Sequence, residues 1–282
     1  MLRTRIITAV ILFFVFFSAL FYLPPAGWVA FATLIASLAA WEWGGLMGGG
    51  QAQRVVMGLG SAALCVLITI LQPAALGIGV GFTESAWTFG RWFYVPAVAF
   101  WLLVVPVWML KRWRLSRSVT GFAVGLLLLL PTWLALVQLR QAGAYLLLGV
   151  MAAVWLADIS AYFFGCNFGR HKLAPTISPG KSWEGAIGAG FTVIAYGFVF
   201  SSRLPNFMAH SFIWLLMAMV FFTVISIIGD LFESLLKRQA GLKDSSAILP
   251  GHGGVLDRID SLTSTLPLAA LLWFSNGFGI SG

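Results

Sequence analysis

The chain has 282 residues, 60% hydrophobic and only 9% charged, with mean hydropathy +0.94 and formal net charge +8. Soluble domains are about 45–50% apolar and about 25% charged; a water-facing surface cannot absorb this excess, so a soluble globular domain is excluded and the bilayer is the solvent that suits the chain. The basic excess flanks apolar segments, where it sets membrane topology, so nucleic acid is not expected as a partner.

A helix needs about 20 apolar residues to cross about 30 Å of hydrocarbon. The start, Met1-Leu2-Arg3-Thr4-Arg5, leads into Ile6–Leu23, which is longer than a signal-peptide core and reads as an uncleaved first helix. Gly27–Leu46, Val55–Leu71, Trp92–Leu110 and Val119–Val137 follow, then Ala144–Phe164, Gly185–Phe200, Phe212–Leu236 and Ser261–Phe274. The third, seventh and ninth are short or interrupted by glycine. Backbone groups in lipid must bond within their own segment, so the expected fold class is all-α: a polytopic membrane bundle of about nine transmembrane helices. Cys65 in an apolar run and Cys166 in a polar loop support neither a disulfide framework nor a cysteine zinc site.

Sidedness follows from the basic loop Lys111-Arg112-Trp113-Arg114-Leu115-Ser116-Arg117, because short Lys/Arg-rich loops stay in the cytoplasm. Nine alternating spans then put the N-terminus inside, the C-terminus outside, and fourteen of the seventeen Lys/Arg on the cytoplasmic side; Arg91, Arg140 and Arg203 are the exceptions. Of the nine acidic residues only Glu84 falls outside. Asp158 and Asp230 stand in or at the edge of apolar runs, where a charge costs about 2.5–3.5 kcal/mol at mid-helix, and such a cost points to a cation or phosphate site. Glu42 is read as structural.

Residues 1–143 are spans and basic loops; residues 144–282 carry nearly all the polar chemistry and are the expected catalytic region. Asp230, Glu233 or Ser234, and Lys237 share a helix face, and Asp257 and Asp260 are three apart at the mouth of the last span. Such carboxylates suit Mg²⁺, which takes one or two of them together with water and substrate phosphate oxygens. Lys237, Arg238, Lys243 and Arg258 supply cations for a polyphosphate. Gly251, Gly253 and Gly254 open the backbone to a ligand, at a loop and helix start that suit an anion. His252 is either an acid or phosphate donor or a structural hydrogen-bonder in a glycine turn. Further upstream, Gly180-Lys181-Ser182 is not a P-loop, because Pro175 stands where that pattern needs glycine. Ser178-Pro179 can open a helix as cap and first residue, which would set Lys172 and Lys181 near a phosphate.

The run Ser234 to Asp260 reads S-x-x-K-R-x4-K-D, a spacer, then P-x-H-G-G-x-x-D-R-x-D, and Asp158 to Gly185 contains D-x-x-A-Y-x-x-G and S-P-G-K-S-x-E-G. These residues resemble the phosphatidate cytidylyltransferases, also called CDP-diacylglycerol synthases, over roughly the C-terminal half. The departure is Cys166, where many relatives carry Lys or Arg. The resemblance implies that CTP and phosphatidate give CDP-diacylglycerol and pyrophosphate with Mg²⁺, in a multi-span, dimeric enzyme of the inner or endoplasmic reticulum membrane. Asp230 and Asp257 would then hold the metal with Asp260 beside them. Lys237, Arg238, Lys243 and Arg258 would offset phosphate charge, and Asp244 would orient Lys243 or bind a second cation. Lys172, Lys181 and Ser182 would receive the lipid phosphate, with Asp158, Ser178, Glu184, Ser234, Gly253 and Gly254 completing the substrate site. The competing classes are a CTP-using polyprenol or phytol kinase, a transporter lined by Asp158 and Asp230, and a membrane scaffold. A scaffold has no use for so many charges at one membrane end, and a transporter would show related broken helices in both halves.

Overall fold

The structure, a computed structural model, describes residues 2–79, 84–201 and 211–277. Arg203 lies outside the described residues. The chain forms α1 (Leu2–Tyr22), α2 (Pro25–Leu46), α3 (Gln51–Leu71), a short 3₁₀ turn, α4 (Glu84–Ala99), α5 (Val105–Lys111), α6 (Val119–Ala142) and α7 (Ala144–Phe168). A hairpin of β1 (Lys172–Ala174) and β2 (Ser178–Ser182) precedes α8 (Trp183–Phe200), α9 (Phe212–Gln239) and α10 (Leu256–Gly277). A π-helical turn, Phe100–Val104, joins α4 to α5 in one continuous rod. Pro106 explains the widened turn: it has no N–H to give to the carbonyl four residues back, and its ring would strike that carbonyl in regular helix.

Among the described residues eight helices are long and apolar enough to cross a membrane. The ninth long helix, α10, is built for the interior. It opens with Asp257, Arg258 and Asp260 and buries Ser261, Thr263, Ser264 and Thr265. Thr263 and Thr265 donate to carbonyls of their own helix, Asp260 O at 2.6 Å and Ser261 O at 2.8 Å, and the helix also bonds to its neighbours. Ser264 Oγ donates to Ile225 O at 2.9 Å, and Thr263 O accepts from Trp101 Nε1 at 3.1 Å. α10 packs against α9, α7, α6, α4 and α2, so one apolar core runs from Ala19 to Phe274. The sequence expectation began this helix at Ser261; it begins at Leu256, more than a turn earlier, which brings both aspartates into the helix proper.

Side chains that clamp neighbouring helix ends show the alternation. Thr8 Oγ1 in α1 donates to Pro250 O just before α10, and Trp43 Nε1 near the end of α2 donates to Gly121 O near the start of α6. Arg112 after α5 donates to Thr176 Oγ1 in the hairpin after α7. The starts of α1, α3, α6, α8 and α10 therefore share one end of the bundle with the finishes of α2, α5, α7 and α9. At its periphery α1 exposes Ile6, Val10, Phe13 and Phe14, the surface expected toward acyl chains.

Candidate active site at the polar end of the bundle

Two polar assemblies occupy this end. The first is a closed hydrogen-bonded network around two carboxylates. Glu42, on α2, is fully buried, and both its oxygens are used. It accepts from Val255 N (2.9 Å), Leu256 N (2.6 Å) and Ser246 Oγ (2.6 Å). Ser245 Oγ lies 3.0 Å from Glu42 Oε2 and 2.9 Å from Asp257 Oδ2, its single proton shared between them. Asp257 Oδ2 also accepts from Ser245 N (2.9 Å) and Gly254 N (2.7 Å), while Oδ1 accepts from Lys237 Nζ at 2.7 Å. Lys237 Nζ also meets Glu233, four residues back, at 3.0 Å.

This network explains the glycines. Gly251 and Gly253 have φ +78° and +79°, a left-handed turn that glycine adopts without strain. A Cβ on Gly253 would stand 2.6 Å from Asp257 Oδ2, and one on Gly254 would run into Ser245 Oγ and the Glu42 carboxylate. The sequence expectation is an open loop and helix start for a ligand anion; in the structure the chain's own Glu42 and Asp257 take these N–H groups.

The second assembly is open. A cavity of about 390 Å³ lies between α7, the hairpin, α8 and α9, within the range of small-molecule sites. Asp158, Ser178, Lys181, Ser182 and Asp230 line it together with Ala157, Ala161, Ile227 and Cys166. Lys181 Nζ pairs with Asp230 Oδ2, and Ser234 Oγ donates to Asp230 Oδ1 at 3.3 Å, confirming the shared helix face. Outside the cavity α7 and α8 expose Ile159, Phe163, Ile187 and Phe191. The two helices that wall the charged cavity, α7 and α8, thus also carry exposed apolar faces.

The hairpin corrects one local expectation. Ser178-Pro179 does not start a helix: Ser178–Ser182 pairs antiparallel with Lys172–Ala174, and α8 begins after Ser182, whose Oγ accepts from Gly185 N at 3.2 Å. Ser182 thus serves as helix cap while lining the cavity. Glu184 accepts from His171 N and meets His171 Nδ1 at 2.7 Å, closing the base of the hairpin. Lys172 is exposed on β1 and does not line the cavity. Cys166 sits on α7, which runs on to Phe168, rather than in a loop.

Arg238, Lys243, Asp244 and Arg258 are exposed; Arg258 Nε donates to His252 O at 3.1 Å. His252 Nδ1 is buried without a partner. Asp260 accepts from Ser261 N at 2.8 Å and interacts electrostatically with Asp230, Glu233 and Asp158. Four carboxylates this close repel one another unless cations intervene. Among the described residues no three His, Cys, Asp or Glu side chains converge as a ready-made metal site. Asp257 is held inside the closed network by Lys237, Ser245 and Gly254, whereas Asp158 and Asp230, the latter held by Lys181 and Ser234, line the cavity.

The sequence reading missed the partners of Glu42, the two serines of the 245–246 pair and the clasp of His171 on Glu184. A buried glutamate in an apolar span was the one available signal for the first of these.

The model of the cytidylyltransferase family matches residues 3–275. The chain is 39% identical to the phosphatidate cytidylyltransferase of Pseudomonas aeruginosa, over 99% of each chain. It is 34% identical to that of Haemophilus influenzae, over 97% of this chain and 99% of the relative, and 33% identical to that of Brucella suis, over 96% and 92%. The likeness thus extends through the N-terminal helices, beyond the C-terminal motifs.

Proposed function

The chain belongs to the cytidylyltransferase family and is a nucleotide-transferring membrane enzyme; from that premise we propose that it transfers CMP from CTP to phosphatidate, giving CDP-diacylglycerol and pyrophosphate for phospholipid synthesis. The observation that carries this is the cavity in which Lys181 and Asp230 meet a wall of Ala157, Ala161 and Ile227 beside lipid-facing α7 and α8. A phosphorylated diacylglycerol needs such a place: a cation for its phosphate, and apolar surface at membrane depth for its chains.

In the proposed step a phosphate oxygen of phosphatidate attacks the α-phosphorus of CTP. The bond from that phosphorus to the oxygen bridging to the β-phosphate breaks, and pyrophosphate leaves with that oxygen and its electron pair. The nucleophile is already an anion, so neither a covalent intermediate nor a general base is required. Lys181 receives the lipid phosphate, with Ser178 and Ser182 at the cavity wall. Asp230 and Asp158 would hold Mg²⁺, with Asp260 behind them, since that ion needs only one or two carboxylates when phosphate oxygens and water complete its shell. Bound there, Mg²⁺ would neutralise phosphate charge and favour in-line displacement. Lys237 and Asp257 act as the frame that holds the α9 and α10 ends in register.

The basic loop at the same end, tied to the hairpin through Arg112 and Thr176, supports a cytoplasmic active site in the inner membrane, with α1 starting inside and α10 finishing outside. A homodimer is expected from the family resemblance, and light scattering of the detergent-purified protein tests it. The central test supplies membranes containing the protein with labelled CTP, phosphatidate and Mg²⁺. Label in lipid with equimolar pyrophosphate is the expected result, abolished by chelator and by Asp230→Asn; release of CDP with phosphorylated lipid alcohol would make the protein a kinase.

A further inference from the structure

The loop between α5 and α6 carries charge that neither polar assembly uses. α5 ends at Lys111 and α6 begins at Val119. Leu110 and Val119 are 84% and 82% exposed, so apolar side chains that suit lipid stand at both rims of the loop, and its charges fall at headgroup depth. Lys111, Arg112, Arg114 and Arg117 follow within these few positions, and no acidic residue stands between Glu84 and Asp158.

Topology alone requires only that such a loop be short and basic. This one is also fixed in place. Gln239 Nε2 on α9 donates to Trp113 O at 2.9 Å, Trp108 Nε1 on α5 donates to the same oxygen at 2.7 Å, and Gln53 Nε2 on α3 donates to Arg117 O at 3.1 Å. With its carbonyls tied to three helices, the loop leaves all four cations exposed. Arg112 gives its guanidinium to Thr176 Oγ1 in the hairpin. Arg117 lies over the α2–α3 turn, where a Cβ on Gly48 would stand 2.7 Å from its guanidinium. Lys111 and Arg114 are the cations left on either side of Arg112, and among the described residues neither has a carboxylate partner. Between them stands Trp113, its ring 43% exposed and 5.7 Å from Lys111 Nζ.

The patch borders the wall of the lipid cavity. Trp108 and Met109, just before Lys111, share an apolar cluster with Ile177 and Leu173 of the hairpin, and Leu173 lines the cavity that holds Lys181. We propose that Lys111, Arg114 and the Trp113 ring form a docking site for the phosphate of an anionic lipid headgroup in the surrounding leaflet. The two cations neutralise the phosphate, and the indole sits at the depth where amphipathic rings are stable. Phosphatidate belongs to this class of lipid, so the same surface enriches it at the cavity wall. That consequence rests on the reaction proposed above; the lipid site itself does not.

The test counts lipids retained by the full-length, detergent-purified protein in native mass spectrometry, titrated with dioleoyl phosphatidylglycerol or dioleoyl phosphatidylcholine. The variants are Lys111→Gln, Arg114→Gln, Arg114→Lys and Arg91→Gln. Lys111 and Arg114 are exposed, so their variants are expected to keep the parent's melting temperature. The parent is expected to hold phosphatidylglycerol about ten-fold or more tighter than phosphatidylcholine, and each glutamine at 111 or 114 to weaken it about five-fold while phosphatidylcholine is unaffected. Arg114→Lys keeps most of the affinity, and Arg91→Gln, which removes the same charge from α4, leaves it unchanged. Equal affinity of the parent for the two lipids, or unchanged phosphatidylglycerol binding in Lys111→Gln and Arg114→Gln, would overturn the site. Displacement of the lipid by inorganic phosphate would overturn it in favour of a free-phosphate site. Because the readout is lipid retention, failure to turn over CTP would count against the proposed reaction alone.

Discussion

The two polar assemblies of the site lie at one end of one bundle yet are opposites in construction. Around Glu42 and Asp257 nearly every donor has an acceptor, and the glycines leave no spare volume. Around Asp158 and Asp230 a cavity of about 390 Å³ remains between a cation, two carboxylates and apolar wall. The motif richest in charge, from Ser234 to Asp260, thus spends much of its chemistry on holding three chain segments together. The sparser stretch, from Asp158 to Glu184, shapes the open space. Charge density in a sequence marks where a site is, and the hydrogen-bond partners decide which of those charges face a substrate.

Substitutions can break this division. The largest effect is expected for Asp257→Asn: it leaves the nearly buried Lys237 with Glu233 as its remaining carboxylate partner and is expected to cost about 3 kcal/mol of stability together with activity. Thermal denaturation in detergent checks this, and an unchanged melting temperature would reassign Asp257 to the open, ligand-facing class. Asp230→Asn should lower turnover by about 10²–10³-fold while the melting temperature holds, because its loss removes charge from a cavity rather than a strut; the lipid-labelling assay and a melt on the same preparation read both. Glu42→Gln keeps one acceptor oxygen but loses the charge-assisted bonds to the start of α10, and about 1–3 kcal/mol of stability is expected to go with them. Protease sensitivity of the 245–256 loop should rise in parallel. The smallest effect is expected for Lys172→Ala, within about two-fold in KM for phosphatidate, since that exposed side chain stands off the cavity. A large rise there would extend the lipid site out along the hairpin.

Much of this organisation was legible before any coordinates. Segment length and apolar content located the long helices, and the four-residue spacings Asp230/Ser234 and Glu233/Lys237 both mature into contacts. What escaped the sequence depended on partners distant in the chain or on competition between local structures. Ser178-Pro179 satisfies the rule for a helix start, but pairing with β1 captures that segment and defers the helix to Ser182. The last helix reads as short because its first turns are polar, and the surrounding bundle buries those turns. Glu42 reads as structural from the sequence, but its partners stay hidden there because they lie more than 200 positions downstream.

That separation gives the enzyme a built-in order of assembly. The α2 helix that carries Glu42 leaves the ribosome early, whereas the loop it organises and the helix it caps emerge near the end of synthesis. Until α10 has been threaded among α2, α4 and α6, the 245–256 loop has no carboxylate to fold upon and the carboxylate has no donors. A chain arrested partway through membrane insertion therefore lacks the assembled network, and the polar end closes only when insertion is finished.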